Sequence, residues 1–181
     1  MELSWNVLDL DPGAEVDRIC AGLRDGTVRL LRKRGLVVAI SGGVDSGVCA
    51  ALAARALGPE RVLGLILPER ESAAQSAERA RSLIAQLGIG HLEQDITPTL
   101  ETLGCYRWRD EAARRVLPAY GPGWRMKIAL SGGLEGRINH FRLIAQAPGG
   151  QSHEARLGLR EYLEIVAATS FKQRVRKTLE Y

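Results

Sequence analysis

The segment that most constrains this chain is glycine-rich, spans residues 41–46 and reads Ser-Gly-Gly-Val-Asp-Ser. The apolar run before it, residues 36–40, is short, continuous and β-branched, as is typical of a strand buried on both faces of a parallel sheet. Helix-forming residues follow from 46 to 57. The sequence therefore predicts a strand, a tight loop and a helix, with the loop at the mouth of a parallel sheet.

The composition of this loop predicts that it binds pyrophosphate. Gly42 and Gly43 let the backbone approach an anion and adopt unusual dihedral angles, while the loop amides and the helix N-terminus attract phosphate. Neither G-x-x-x-x-G-K-[ST] nor G-x-G-x-x-G occurs in the chain, so the loop differs from the common ATPase loop and from the usual dinucleotide-binding fingerprint. We therefore expect the chain to use ATP.

The polar side chains of the loop predict a metal ion as well. Ser41 and Ser46 offer hydroxyl groups to the phosphates, but the Asp45 carboxylate would be repelled by them. A divalent cation removes that repulsion, so we interpret Asp45 as a ligand of Mg²⁺, bound directly or through water. The alternative is a plain glycine turn in which Asp45 caps the following helix.

These residues resemble a known family. SGG-[IV]-DS after an apolar strand is similar to the signature of the ATP pyrophosphatase superfamily, whose members cleave ATP between the α and β phosphates to adenylate a substrate. Within it, the chain looks most like NAD synthetase. The likeness covers most of residues 35–96, including the Leu67-Pro68 that ends the second predicted strand, and it resumes in the predicted helix at residues 169–181.

The resemblance implies a fold, an activity and a set of site residues. The fold is a Rossmann-like parallel sheet with flanking helices, of the adenine nucleotide alpha-hydrolase type. The activity is adenylation of a carboxylate, that of deamido-NAD, with Mg²⁺ and ATP, followed by amidation with ammonia. The implied nucleotide site adds to the loop its Val44, the strand ends Ile40 and Leu67, and two helix arginines, Arg174 and Arg176; no residue is assigned a catalytic role.

Several alternatives stay open. The same loop occurs in other adenylating enzymes, such as asparagine-synthase-like amidotransferases and tRNA-modifying enzymes, and a non-catalytic ATP-binding module would also carry it. The basic residues near the end of the last helix, Lys172, Arg174, Arg176 and Lys177, serve either a polyphosphate ligand or the helix dipole.

NAD synthetases continue beyond the equivalent of Tyr181 with another strand and a metal-binding glutamate. We therefore expect the chain to be incomplete at its C-terminus, and to make little NAD by itself. The family also implies a homodimer, and an apolar side of the last helix, with Leu163 and Val166, is a candidate for the helix contact.

Residues 124–157 have no counterpart in the family pattern. Alternating apolar and polar residues, interrupted by turn segments at 131–133 and 148–150, predict a small antiparallel meander inserted as a lid or docking hairpin. We expect the whole chain, residues 1–181, to form a single domain.

Composition limits the remaining functions. The net charge of +4 could indicate nucleic acid, but most arginines alternate with glutamates along helices, so no nucleic-acid partner is required. The chain lacks an apolar run of membrane-spanning length and a signal peptide, which predicts a cytoplasmic protein. Three widely spaced cysteines predict small buried residues, and no histidine has ligand spacing; these residues are Cys20, Cys49 and Cys105, and His91, His140 and His153.

The other predicted elements complete an alternating pattern. A helix opens at Asp11-Pro12 and is expected to turn Leu30 and Leu31 inward with its other apolar residues. Further strands are predicted at 62–67 and 92–96, and further helices at about 72–87, 97–117 and 159–181. This alternation predicts a parallel sheet.

Overall fold

A computed structural model describes residues 9–132 and 140–181, and the chain divides into two compact units. Unit 1 extends to Ile96, and unit 2 begins at Thr97. Each unit is described by itself below. The assignment of residues 1–181 to a single domain stays a prediction.

Unit 1 is a three-stranded parallel sheet with helices. The strand order is β1-β2-β3, and both pairings are parallel. The predicted Rossmann-like α/β fold is confirmed. Its elements are α1 Pro12–Arg24, β1 Leu36–Ala39, α2 Val44–Leu57, β2 Val62–Ile66, α3 Ala74–Leu87 and β3 Gly90–Glu93.

The core of unit 1 lies between the sheet and two helices. Small alanines on α2 and α3 allow these helices to approach the sheet closely, as their full burial indicates. A second, smaller cluster packs α1 against α2 through Cys20, Ala56 and Leu57. The main cluster consists of Ile40, Ala50, Ala53, Val62, Ile66, Ala80, Ile84 and Ile89.

The helix ends of unit 1 follow from local sequence. Asp11 caps α1, because its Oδ1 accepts hydrogen bonds from the Gly13 and Ala14 amides at 2.8 and 3.3 Å. Gly58 and Gly88 end α2 and α3 with positive φ angles of 94° and 65°, which glycine adopts without strain. The predicted helix start at Asp11-Pro12 and the predicted helix ends at residues 57 and 87 are confirmed.

Two expectations about α1 and β1 are wrong. Leu30 and Leu31 are 79% and 62% exposed, because the chain continues from α1 into a π-helical turn at Asp25–Leu30, which breaks the 3.6-residue period. Val37 is 47% exposed, so β1 is not buried on both faces. In the described part of the chain β1 pairs only with β2, which makes it an edge strand.

The expected burial of all three cysteines is also wrong in one case. Cys20 and Cys105 are buried, but Cys49 is exposed. The buried positions of α2 are Ala50, Ala53, Ala56 and Leu57, and position 49 falls outside that stripe.

Unit 2 contains an antiparallel sheet and three helices among its described residues. The strand order β4-β5-β6 confirms the predicted meander. The predicted turn at 148–150 is present, with a hydrogen bond from the Gly150 amide to the Ala147 carbonyl at 2.9 Å. The elements are α4 Thr97–Thr102, α5 Cys105–Val116, β4 Arg125–Ser131, β5 His140–Gln146, β6 Ser152–Arg156 and α6 Leu159–Glu180.

In unit 2, one predicted helix is divided in two, and one predicted turn cannot be compared with the structure. The helix predicted from 97 to 117 is two helices, because Gly104 has a φ of 77° and interrupts it. The turn predicted at 131–133 extends into residues outside the described ranges.

One face of the antiparallel sheet forms the core of unit 2. Leu143 and Ala145 on β5 are fully buried in one cluster with Ala112 of α5 and Ile165 of α6. The Phe141 and Tyr162 rings stack in parallel with their centroids 3.9 Å apart. The other face of the sheet is therefore left for solvent or for a ligand.

None of the helices in residues 9–132 and 140–181 combines the length and apolar character needed to cross a membrane.

Candidate functional site

The glycine-rich loop is anchored to the sheet at the carboxyl end of β1. The Ile40 amide donates a hydrogen bond to the Leu65 carbonyl at 2.8 Å, so the backbone hydrogen bonding between β1 and β2 continues one residue beyond the end of β1. The Ile40 side chain is 2% exposed and belongs to the main core cluster. Residues 41–46 therefore start from a rigid support.

The two loop serines are hydrogen-bonded to each other and to the loop backbone. Ser46 Oγ donates to the Gly43 carbonyl at 3.0 Å and accepts from the Ser41 amide at 3.2 Å. The two hydroxyl oxygens are 3.1 Å apart, and the Gly43 amide donates to Ser41 Oγ at 3.3 Å. A serine hydroxyl has one proton, and that of Ser46 is directed to Gly43, so Ser41 must be the donor between the two hydroxyls.

The start of α2 supplies the donors that an anion would meet. Gly43 is the N-cap residue, with extended φ and ψ of −89° and 161°, and no side chain caps the helix. The first amides of a helix have no acceptor within the helix, and they carry the positive end of its dipole. The interpretation of Asp45 as the N-cap is wrong, because Asp45 lies within the first turn of α2.

The two loop glycines have different roles. Gly42 has a φ of 77°, and a Cβ atom built there would lie 2.2 Å from the Ser76 carbonyl oxygen in α3. At Gly43 the nearest atom to such a Cβ is Ser41 Oγ at 3.4 Å, an ordinary contact. The expected unusual dihedral is therefore found only at Gly42, where close packing of α3 also requires glycine. No feature of the sequence indicates the contact with Ser76.

Asp45 is the loop residue suited to a metal ion. Its side chain is exposed in the first turn of α2, beside the uncapped amides. Within the described ranges no three His, Cys, Asp or Glu side chains converge as a metal site. A hard cation at Asp45 would therefore complete its shell with phosphate oxygens and water, as Mg²⁺ commonly does.

The loop that follows β2 lies at the same edge of the parallel sheet. Leu67 is half-buried, and the next residues form a turn in which the Glu69 amide donates to Ser72 Oγ at 3.0 Å. The Ser72 amide returns a bond to the Glu69 carbonyl at 2.8 Å. The sequence prediction missed this turn, although Pro68 directly after a strand was an available signal.

The predicted arginines belong to unit 2. Arg174 is exposed on α6 and lines a groove of about 650 Å³ together with Trp108 and Phe171. Arg176, half-buried, lies on the same helix. Lys172 does not belong with the basic residues that were expected to serve a ligand or the helix dipole. It is only 7% exposed, and its Nζ lies 4.6 Å from the centroid of the Tyr106 ring.

Ion pairs join α5 and α6 beside this groove. Arg115 bonds to Glu161 at 3.2 Å and makes a shorter bond to Glu164, which also accepts from Arg160 at 3.0 Å. The hydrogen bond from Arg115, and then that from Arg160, lower the pKa of Glu164. The hydrogen bond to Glu164 in turn raises the pKa of Arg115.

The sequence profile of the NAD synthase family matches residues 15–132, a segment that contains the whole glycine-rich loop. The chain belongs to the NAD synthase family. Two NH3-dependent NAD(+) synthetases are similar over almost the whole chain. That of Mesorhizobium japonicum is 48% identical over 176 residues, and that of Rhizobium meliloti is 46% identical over 179.

The matches with these NAD synthase relatives cover nearly all of this chain but only about half of each relative. They match 97% and 98% of this chain, but the matches take in only 55% and 53% of the relatives. The chain thus spans about half the length of the curated relatives. Among solved structures, the NMN synthetase from Francisella tularensis is similar with a TM-score of 0.50 and 27% identity, over 58% of this chain and 48% of that one.

Proposed function

We propose that the protein is an ATP-dependent ligase that forms the amide of NAD⁺ from deamido-NAD and ammonia. The observation that carries this proposal is the loop at 41–46, anchored to β1 and followed by an uncapped helix, in a chain of the NAD synthase family. The similar rhizobial proteins are named NH3-dependent NAD(+) synthetases. The family match favours this activity over the other adenylating enzymes that share the loop.

The loop would act on the leaving side of the reaction. The carboxylate of the acceptor attacks the α-phosphorus of ATP, the bond to the β-phosphate oxygen breaks, and pyrophosphate leaves toward Ser41–Ser46. Ammonia then attacks the acyl adenylate, and AMP leaves as the amide forms. The α2 amides stabilise negative charge on the leaving group. Catalysis of such an in-line displacement depends mainly on positioning of the reactants and on charge stabilisation.

The remaining site residues have binding roles in this proposal. Asp45 would hold Mg²⁺, which supplies charge neutralisation at the leaving phosphates when bound. Ile40 and Leu67 directly follow β1 and β2, the two strands proposed to support the nucleotide, and Val44 begins α2. Arg174 and Arg176 are proposed to approach the nucleotide phosphates. We further propose a cytoplasmic homodimer.

Calorimetric titration with Mg·ATP tests the loop. Gly43→Val adds a branched side chain beside the α2 amides at a position whose backbone tolerates it, and Asp45→Ala removes the proposed metal ligand. Each lost charge-assisted contact corresponds to about 1.5–3 kcal/mol, so we expect Kd to rise roughly tenfold or more for each variant.

Matched controls exclude general damage. Gly149→Val introduces the same side chain at a turn where nothing lies within 4 Å, and Asp25→Ala removes an exposed carboxylate of α1's π-helical extension. Both controls should keep the parental Kd. Unchanged Kd for Gly43→Val and Asp45→Ala, in proteins with parental unfolding curves, would disprove the assignment of the loop.

A further inference from the structure

The outer face of the β4-β5-β6 sheet has an unusual charge distribution. Side chains alternate along each strand, and Met126, Ile128 and Leu143 lie on the inner face with the core of unit 2. The opposite set is the basic sheet face. It consists of Arg125, Lys127, Ala129 and Ser131 on β4, His140, Arg142, Ile144 and Gln146 on β5, and Ser152, Glu154 and Arg156 on β6.

Cations dominate this face. Arg125, Lys127 and Arg156 are exposed, and none of them has an ion-pair partner in the described part of the chain. Arg142 pairs with Glu154, the single carboxylate of the face. Arg142 and Arg156 are direct neighbours in the strand register, an arrangement of like charges that destabilises a sheet. An anionic ligand would relieve that repulsion.

Two apolar side chains lie among these charges. Ala129 and Ile144 are partly exposed, with Ala129 opposite Arg142 and Ile144 opposite Lys127 in the strand register. Mixed apolar and charged contact area is found in protein–protein interfaces. The face carries no Phe, Tyr or Trp on which a nucleobase could stack, so single-stranded nucleic acid is disfavoured.

β5 and β6 lie outside the segment that the NAD synthase profile matches. The NAD synthase profile ends at residue 132, near the end of β4, whereas the two rhizobial relatives match nearly the whole chain. The profile match therefore offers no role for the basic outer face of β5 and β6.

We propose that the basic sheet face is a docking surface for an acidic protein. Three strands spaced about 4.8 Å apart, with five to seven residues each, present roughly 250–350 Å². This is well below the ~800 Å² per partner of a stable complex. The contact is therefore transient and sensitive to salt.

Fluorescence anisotropy tests the proposal on the full chain. The probes are a labelled 15-residue peptide of glutamate with interspersed leucine, the same length of glutamate alone, and a 20-base-pair RNA duplex. The triple variant Arg125→Glu, Lys127→Glu, Arg156→Glu should weaken binding of the leucine-containing peptide more than tenfold at 0.1 M salt.

Two further variants separate specific docking from net charge. The control triple Arg79→Glu, Arg107→Glu, Arg114→Glu makes the same charge change on exposed helix positions and should alter the peptide Kd less than threefold. Ile144→Ser keeps the charge and should weaken only the leucine-containing peptide. Equal losses in the two triple variants, or tighter binding of the RNA duplex with no effect of Ile144→Ser, would overturn the proposal.

Discussion

Replacing Gly42 by alanine is expected to destabilise unit 1, whereas the same change at the neighbouring Gly43 is expected to have little effect. At Gly42 the new methyl group would lie 2.2 Å from the Ser76 carbonyl oxygen, at a φ of 77°. At Gly43 it would meet only the Ser41 hydroxyl at 3.4 Å, in extended backbone. The two substitutions therefore add the same atoms to adjacent residues in very different surroundings.

The expected difference follows from these two geometries. A non-glycine residue in the left-handed region costs about 1–2 kcal/mol, and forcing a methyl group into packed atoms costs about 1–3 kcal/mol more. Gly42→Ala should therefore lose roughly 2–5 kcal/mol. At Gly43, the reduced entropy of the unfolded chain contributes about 0.4–1 kcal/mol of stability and offsets the poorer N-cap preference of alanine.

Urea denaturation followed by circular dichroism gives the free energy of unfolding of both variants. Amide hydrogen exchange in β1 and β2 would locate the loss in unit 1. Similar stability of the two variants would refute the reasoning, because it would mean that α3 does not pack against Gly42 as described. A large loss at Gly43 would refute it as well.

Other predictions test the helix surface, the serine pair and the ion pairs. Leu163 is 53% exposed on α6, and Leu163→Glu should convert the proposed homodimer to a monomer in sedimentation, whereas an unchanged dimer would exclude this surface. Ser46→Ala should speed hydrogen exchange of the Ser41 amide without ligand, and unaltered exchange would contradict the hydrogen bond between them. Because Arg115 lowers the pKa of Glu164, their pairing stabilises the fold above the ordinary pKa of 4.5 and is lost as the pH falls through the folded pKa. The urea midpoints of Glu164→Gln and the parent should therefore differ at pH 7 and converge progressively as the pH falls below 4.5, and a constant difference would count against the pairing.

The sequence predicted the parts of the fold that depend on short-range patterns. The cap at Asp11, the stops at Gly58 and Gly88, and the strand-loop-helix order around residues 41–46 follow from residue preferences within a few positions. The antiparallel meander followed in the same way from alternation and turn residues. Family resemblance then supplied the family assignment, which local patterns alone leave open and which the profile match confirms.

What the sequence did not predict depends on contacts between distant residues. The contact of Gly42 with Ser76 joins a loop and a helix thirty-odd positions apart, and no local pattern marks it. The π-helical turn that exposes Leu30 changes the helical period, and no proline or glycine cluster in the sequence indicates this change. Burial of Lys172 over Tyr106 runs against the usual preference of lysine for solvent.

The close approach of α3 to Gly42 couples the loop at 41–46 to the turn at 69–72. No side chain lies between the loop backbone and the Ser76 carbonyl, so a shift of α3 toward the loop cannot be accommodated by a side-chain rearrangement. The turn at residues 69–72 leads directly into α3. A ligand that moves α3 by rearranging this turn is therefore expected to change the affinity of the loop at 41–46 for its own ligand, and by linkage an occupant of that loop would change the affinity of the turn by the same factor.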